Sequence, residues 1–264
     1  MLSRIIYAAL PGLALTLAPF ATATAADLPT KAPSAPAPAF SWSGCYVGIN
    51  GGGGASGSNF TTGVDPGTHL NLDDAATVSA TGTGSGNDSN FLAGGQIGCN
   101  WQSGTYVYGV EADADYFHSN AGFFNGTGTL STGDTFAVTQ TLTTNYLATV
   151  RPRLGVAADR SLFYVTGGAA FTRVSYVETY SDSLSNGSGT ATGSQSLIGW
   201  TLGGGWEYAW NDHFVTKLEY LFADFPKATN GVGGITDTAG GTNVLHGSAD
   251  LVIQTVRLGL NYKF

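Results

Sequence analysis

Charge is scarce in this sequence. Charged residues make up 11% of the 264 positions, less than half the ~25% of an ordinary soluble domain, which argues against a soluble enzyme. Basic residues are the scarcer kind. Ten Lys and Arg stand against eighteen Asp and Glu, a net charge of -8, and without a basic face a nucleic-acid partner is excluded, since phosphate binding needs one. Long apolar runs are missing after the first 26 residues and mean hydropathy is only +0.06, so any insertion into a membrane must be by strands. Cysteine occurs twice, at Cys45 and Cys99, an even count compatible with one disulfide in an exported chain.

What is abundant is glycine, with 39 residues, and aromatic side chains at 12%. Met1 to Arg4 is a short basic start, residues 5–20 form an apolar run, and "ATATAAD" supplies small residues before Asp27. That order reads as a secretory signal peptide over residues 1–26, cut after Ala25 or Ala26. Pro11 and Pro19, and a run short of the ~20 residues of a spanning helix, argue against an uncleaved anchor. Residues 27–41, opening "DLPTKAPSAPAPAF", are too poor in apolar side chains to pack and read as a semi-extended linker.

From Trp42 to Phe264 eight segments have strand-like composition: residues 42–53, 90–101, 105–117, 142–157, 161–176, 196–210, 213–225 and 251–264. Connections alternate in length. "QSG", "AADR" and "ND" are tight-turn chemistry, whereas residues 54–89, 118–141, 177–195 and 226–250 are long and rich in Gly, Ser, Thr, Asn and Asp. Short turns at one end, long polar loops at the other and an even strand number predict an all-β, eight-stranded antiparallel up-and-down transmembrane β-barrel, with short periplasmic turns and four long extracellular loops. A soluble β-sandwich has no reason to sort its loops in this way.

Side-chain alternation separates two faces. In "TVRLGLNYKF", Val256, Leu258, Leu260, Tyr262 and Phe264 fall on one side, and Arg257 and Lys263 on the other. Tyr106, Tyr108, Val110, Ala112, Ala114 and Tyr116 oppose Glu111, Asp113 and Asp115 in the third segment. The fourth sets Tyr146, Ala148, Val150, Pro152 and Leu154 against Arg151 and Arg153. The fifth, "LFYVTGGAAFT", fits either phase. Trp101, Tyr106, Tyr208, Trp210, Phe214, Tyr262 and Phe264 lie outward near the short turns, where an interfacial aromatic girdle belongs.

The inward charges are the principal candidate site. Glu111, Asp113, Asp115, Glu207 and Glu219 face Arg151, Arg153, Lys217, Arg257 and Lys263, five acids against five bases, in a lumen that eight strands leave just wide enough for side chains to fill. A salt-bridged plug is expected in preference to a narrow ion path, and a wide porin channel would need roughly 16 strands. Glu219 and Arg257 are expected to pair across the last two strands. Cys45 and Cys99 both point outward on neighbouring strands at similar depth, so a disulfide is expected, with two lipid-facing thiols as the alternative while the register is open.

Other chemistry is weakly signalled. His118 and Ser119 in "FHSNAGF" resemble the His-x-Ser-Asn stretch of lipid A deacylases, but adjacent residues of a strand point to opposite faces. His69, His118 and His246 have no metal-ligand spacing. Asp73, Asp74 and "GSGNDS" over residues 84–89 lack the spacing of a calcium loop. Sequons at Asn59, Asn87, Asn125 and Asn186 follow from composition. No cofactor is expected.

"WSGCYVGINGG", "GGQIGCNWQSGTYVYGVEADADY", "TVRPRLGVAADRSLFYVTGGAAF" and "VRLGLNYKF" together resemble the small outer-membrane β-barrel family of alpha-proteobacteria that includes the Omp25/Omp31-type outer-membrane immunogenic proteins. The stretches cover most of the strands and none of the long loops. The resemblance implies location in the outer membrane of a Gram-negative bacterium, a structural and surface-presenting role, and no catalytic residues. It implies outer-membrane lipid, lipopolysaccharide and the outer-membrane assembly machinery as partners, the last through Tyr262 and Phe264 of the terminal strand. Pro152 stands where such proteins usually carry glycine, which suggests a bulge or irregular pairing there, and the two cysteines occupy positions that are more often aromatic. A narrow pore, or a surface binder of a small ligand such as haem, is the alternative reading.

Overall fold

Alternation carries every strand of the computed structural model, which describes residues 40–264; the expected signal peptide and the linker through residue 39 lie outside the described residues. The elements are β1 (Gly44–Asp65), α1 (Leu72–Thr81), β2 (Gly84–Ser103), β3 (Tyr106–Thr129), β4 (Thr135–Ala158), β5 (Ser161–Asp182), β6 (Ser188–Ala209), β7 (Phe214–Thr236) and β8 (Thr242–Lys263). Each strand pairs antiparallel with the next, and β8 returns to β1 to close the barrel. Closure leaves no unpaired edge, the condition for strands in hydrocarbon, where no water can satisfy a free amide.

The strands run much further than the sequence reading ended them. A strand of 22 residues such as β5 spans ~70 Å at ~3.3 Å per residue, while a tilted membrane strand needs only ~9–11. About half of each strand therefore stands outside the hydrocarbon. The expected loops over residues 118–141, 177–195 and 226–250 are mostly hairpin, turning at residues 130–134, 183–187 and 237–241. The reason is visible in β4. Phe136, Val138, Gln140, Leu142 and Thr144 are buried at every second position, and the Thr residues between them are β-branched and suit a pleated surface. Polar composition concealed a strand period.

Only the first connection holds something other than strand. There α1 is capped by Asn71, whose side chain accepts from the Asp74 amide, and it presses Ala75 and Val78 into the mouth of the barrel. Asp74 ties it down by accepting from both the backbone amide and the hydroxyl of Ser131, at 2.7 and 2.9 Å.

Two features of the β4–β5 pairing bear on the faces. Between Thr144 and Ala148 the β4–β5 register slips, with Asn145 and Tyr146 both exposed, so outward positions are odd-numbered above this bulge and even-numbered below it. At Pro152 there is no register shift; the ladder to β5 is interrupted between Val150 and Arg153, and the Thr166 hydroxyl donates to the proline carbonyl at 2.9 Å. In β5, whose phase the sequence left open, Leu162, Tyr164, Thr166, Ala170, Thr172 and Val174 are buried while Phe163 and Val165 are exposed. Outside, Trp101, Tyr106, Trp210, Phe214, Tyr262 and Phe264 are all exposed near the short-turn end, as a lipid-facing girdle requires.

Candidate functional site in the barrel lumen

From the short-turn end upward, the lumen is a stack of packed layers. At the bottom Phe40, Trp42, Val107, Leu162, Tyr164 and Val215 form an apolar cluster. Trp42 precedes β1 and is tucked into the mouth, its amide donating to Gln102 Oε1 at 2.7 Å and its indole to the Asp159 carbonyl at 3.3 Å. The sequence reading had taken Trp42 as the start of a strand.

Above lies the charge cluster. Register alone sets Glu111 opposite Arg151, Glu207 opposite Lys217 and Glu219 opposite Arg257. The side chains then cross the lumen. Arg151 Nη2 on β4 is 2.7 Å from both Glu111 and Asp113, and its Nη1 is 3.1 Å from Glu219 on β7. Lys217 reaches Glu111 at 2.9 Å. Arg257 on β8 holds Asp113 at 2.8 Å, Asp115 at 2.5 Å and Glu219 through its other terminal nitrogen. Arg153 sits 2.8 Å from Glu207 as a charge contact and stacks 4.1 Å from the centre of the Tyr164 ring. All nine of these charged residues are buried, and such charges persist only when paired. Gly94 makes room for them, because a Cβ there would collide with the Asp115 carboxylate.

Lys263 is a correction. It faces inward as expected, but at the rim: its ammonium donates to the Ser41 carbonyl and lies 4.9 Å from the centre of the Phe40 ring. Alternation fixes a residue's face, and Lys263, the last residue of β8, lies too low to meet the carboxylates. The cluster thus holds five acids against four cations, a surplus of one negative charge. Neutral donors compensate: Tyr46 donates to Glu111 at 2.6 Å, Tyr164 to Glu219 at 2.8 Å and Thr149 to Asp113 at 2.6 Å.

Higher still, Phe60, Phe117, Leu142, Tyr176, Phe225 and Leu251 belong to the largest apolar cluster and are fully buried inside the barrel. Over it sits a polar layer in which Glu178 accepts from Thr62 at 2.5 Å and Tyr176 at 2.9 Å. A third apolar cluster, which includes Leu70, Ala75 and Val78 with Phe136, Tyr180, Ile235 and Leu245, fills the mouth at the long-hairpin end. At the top the His69 ring bridges two hairpins, with Nε2 2.7 Å from Asp182 and Nδ1 2.7 Å from Asp237. Burial alone would lower the His69 pKa; hydrogen bonds and attraction from the two carboxylates outweigh it and hold the imidazolium above its ordinary value. The Gly241 amide, with His69 and the Ala239 amide, holds Asp237 below the usual carboxylate range against a smaller effect of burial. Nothing in the sequence signalled this clasp, whose partners are 113 and 168 residues apart.

The remaining candidates are dispersed. His118 is exposed on the outer wall, 2.8 Å from Asn145, while Ser119 is buried against Ser56 and Asp88, so the pair points to opposite faces as expected. His246 is exposed on β8 and takes no part in the His69 clasp. Asn59 is held by Asp250. Cys45 and Cys99 are direct partners on β1 and β2, with Cα atoms 4.0 Å apart, and form the expected disulfide.

No protein-family model matches the sequence. Curated relatives do. The 31 kDa outer-membrane immunogenic protein of Brucella melitensis is 35% identical over 260 residues, covering 96% of this chain and 98% of the relative. The 25 kDa outer-membrane immunogenic protein of Brucella abortus is 28% identical, covering 94% of each, and a 22 kDa outer membrane protein of Rhizobium leguminosarum is 31% identical over half of the chain. Among solved structures, the outer membrane protease OmpT from Escherichia coli superimposes with a TM-score of 0.40 at 10% identity, over 85% of this chain and 98% of that one. Neisserial surface protein A gives 0.32 at 12% identity, over 84% and 98%.

Proposed function

The chain belongs to the family of 31 kDa and 25 kDa outer-membrane immunogenic proteins, and from that premise we propose that it is a closed, non-catalytic anchor that presents its extracellular hairpins at the surface of a Gram-negative outer membrane. The observation that carries this is the middle apolar cluster. Six large side chains, Phe60, Phe117, Leu142, Tyr176, Phe225 and Leu251, are fully buried within the barrel. An ion path needs a continuous hydrated polar lining, and this packed layer blocks it, so an ion would have to shed its water beside large apolar side chains. The charge cluster beneath serves structure: each arginine is committed to two or more carboxylates, leaving none to pass an ion along.

Presentation follows from height. Half of every strand rises beyond the lipid and is stiffened by α1, by the His69 clasp and by two interior layers, so the hairpin tips stand well above the lipid on a rigid shaft. Placing a protease site in the tip at residues 131–133 or 184–186, and another at Asn211 in a short turn, tests the reading. Cleavage of the tips in intact cells with protection of Asn211 is expected. The reverse pattern would overturn the orientation, and protection of both would overturn surface presentation.

A further inference from the structure

We propose that the outer wall formed by β4, β5 and β6 is a contact surface for lipopolysaccharide, with Arg173 as its phosphate ligand; this rests on the outer-membrane orientation above. Three tiers on one face carry the inference. The lowest is apolar: Tyr146, Phe171, Ile198 and Trp200 lie outward, with Tyr146 and Ile198 exposed at 39% and 74%. Acyl chains have such a surface to lie against.

Directly above is the second tier. Phe171 pairs with Ile198, and two residues further up Arg173 pairs with Ser196. Asn145, left in the β4 bulge one residue below the Thr144–Val174 pair, stands on the other side. Arg151, Arg153, Lys217 and Arg257 all point into the lumen, whereas Arg173 leaves the outer wall of β5 above the apolar band. It is exposed, and no carboxylate lies within ion-pair distance of it among the described residues. A guanidinium at the upper edge of a hydrocarbon-facing band sits at the height of lipid phosphates and has the fork geometry to hold one.

The third tier is the wall above Arg173. On β4, β5 and β6 no outward residue there carries charge; Thr139, Thr141, Thr179, Thr190 and Thr192 are typical. A wall facing bulk water would be expected to carry about a quarter charged residues; β1 and β8, on the other side of the barrel, place Asp65 and Asp250 outward, and Asp224 faces outward on β7 beside Trp200, below the level of Arg173. Acids are thus absent from the outward positions of β4, β5 and β6 above Arg173, and hydroxyls line the height at which a glycolipid carries its sugars. Acyl chain, phosphate and sugar in that vertical order describe one amphiphile.

The test is titration of the folded protein in detergent micelles with deep-rough lipopolysaccharide, read by native mass spectrometry. R173Q should weaken binding about tenfold, the scale of one charge-assisted contact, and R173K should recover part of it. Enzymatic removal of the lipid phosphates should weaken the wild type equally and leave R173Q no weaker than the wild type. Millimolar inorganic phosphate should not compete. Should R173Q assemble poorly, S196D, beside Arg173 and exposed, should give the same loss by repulsion. Equal binding by wild type and R173Q, equal binding of the phosphate-free lipid, or a change in self-association in place of lipid binding would overturn the proposal while leaving the orientation test above untouched.

Discussion

Neutralising Arg257 should destabilise the barrel more than neutralising Glu219, although the two residues face each other across β7 and β8. Glu219 is surrounded by three cations, Arg151, Lys217 and Arg257. When it becomes Gln, Arg151 keeps Glu111 and Asp113, Lys217 keeps Glu111, and Arg257 keeps Asp113 and Asp115. No charge is orphaned, so the cost should fall near 2 kcal/mol, about that of a buried hydrogen bond to a charged group. R257Q is different. Among the described residues Arg257 is the only cation that Asp115 touches, so its loss strands a buried carboxylate, for which about 3 to 5 kcal/mol is expected. The E219Q/R257Q double variant should show coupling of about 1 to 2 kcal/mol yet stay well below the wild type, because Asp115 is still stranded. D115N should couple to R257Q more strongly than E219Q does. Urea unfolding in lipid vesicles measures the wild type and the five variants, D115N/R257Q included. Strict additivity, or E219Q costing as much as R257Q, would refute the account of Arg257 as the clamp of three carboxylates.

Alkylating the denatured protein without reductant should add no mass, and two alkyl groups should appear after reduction; two groups without reductant would eliminate the Cys45–Cys99 bridge. Deleting Phe264 is expected to lower the heat-modifiable, folded fraction if the terminal strand is what the assembly machinery reads, and unchanged assembly would count against that role. The His69 clasp should loosen with alkali. Because the folded-state pKa of His69 is raised above its ordinary 6.5, its contribution is complete below that value and is lost as pH rises through the raised one. The depressed Asp237 carboxylate contributes above its own ordinary range, and that part is lost only as pH falls through the lowered value. Protection of the amides at residues 237–241, taken relative to their intrinsic exchange rate at each pH, should therefore fall on the alkaline side, and H69Q should be poorly protected at every pH; pH-independent protection in the wild type would refute the charge-based clasp.

Much of this was legible because a strand has a period of two. Alternation alone placed Glu111, Arg151, Arg153, Lys217, Glu219 and Arg257 inside and Tyr106, Leu258 and Tyr262 outside, and counting from the short turns matched Cys45 to Cys99 and Glu219 to Arg257. Height was less legible than face. Lys263 has the right phase and the wrong level, and the strands above the lipid read as loops in the sequence because Thr, Ser and Gly dominate their outer positions. Those positions need not be oily once the strand has left hydrocarbon, so the usual apolar signal disappears although the inner face persists in Phe136, Val138 and Leu142. Inward aromatic residues such as Tyr46, Tyr164 and Tyr176 were equally hidden, since an amphipathic phenol suits either face. Contacts that depend on closure, such as His69 with Asp182 and Asp237, have no local signature at all.

A closed barrel passes no ions, and single-channel recording in planar bilayers shows whether this one does. With packed apolar clusters at three levels of the lumen, the folded protein should insert without opening resolvable conductance steps at either polarity. Stable, ohmic steps that scale with salt concentration and with the amount of folded protein would contradict it.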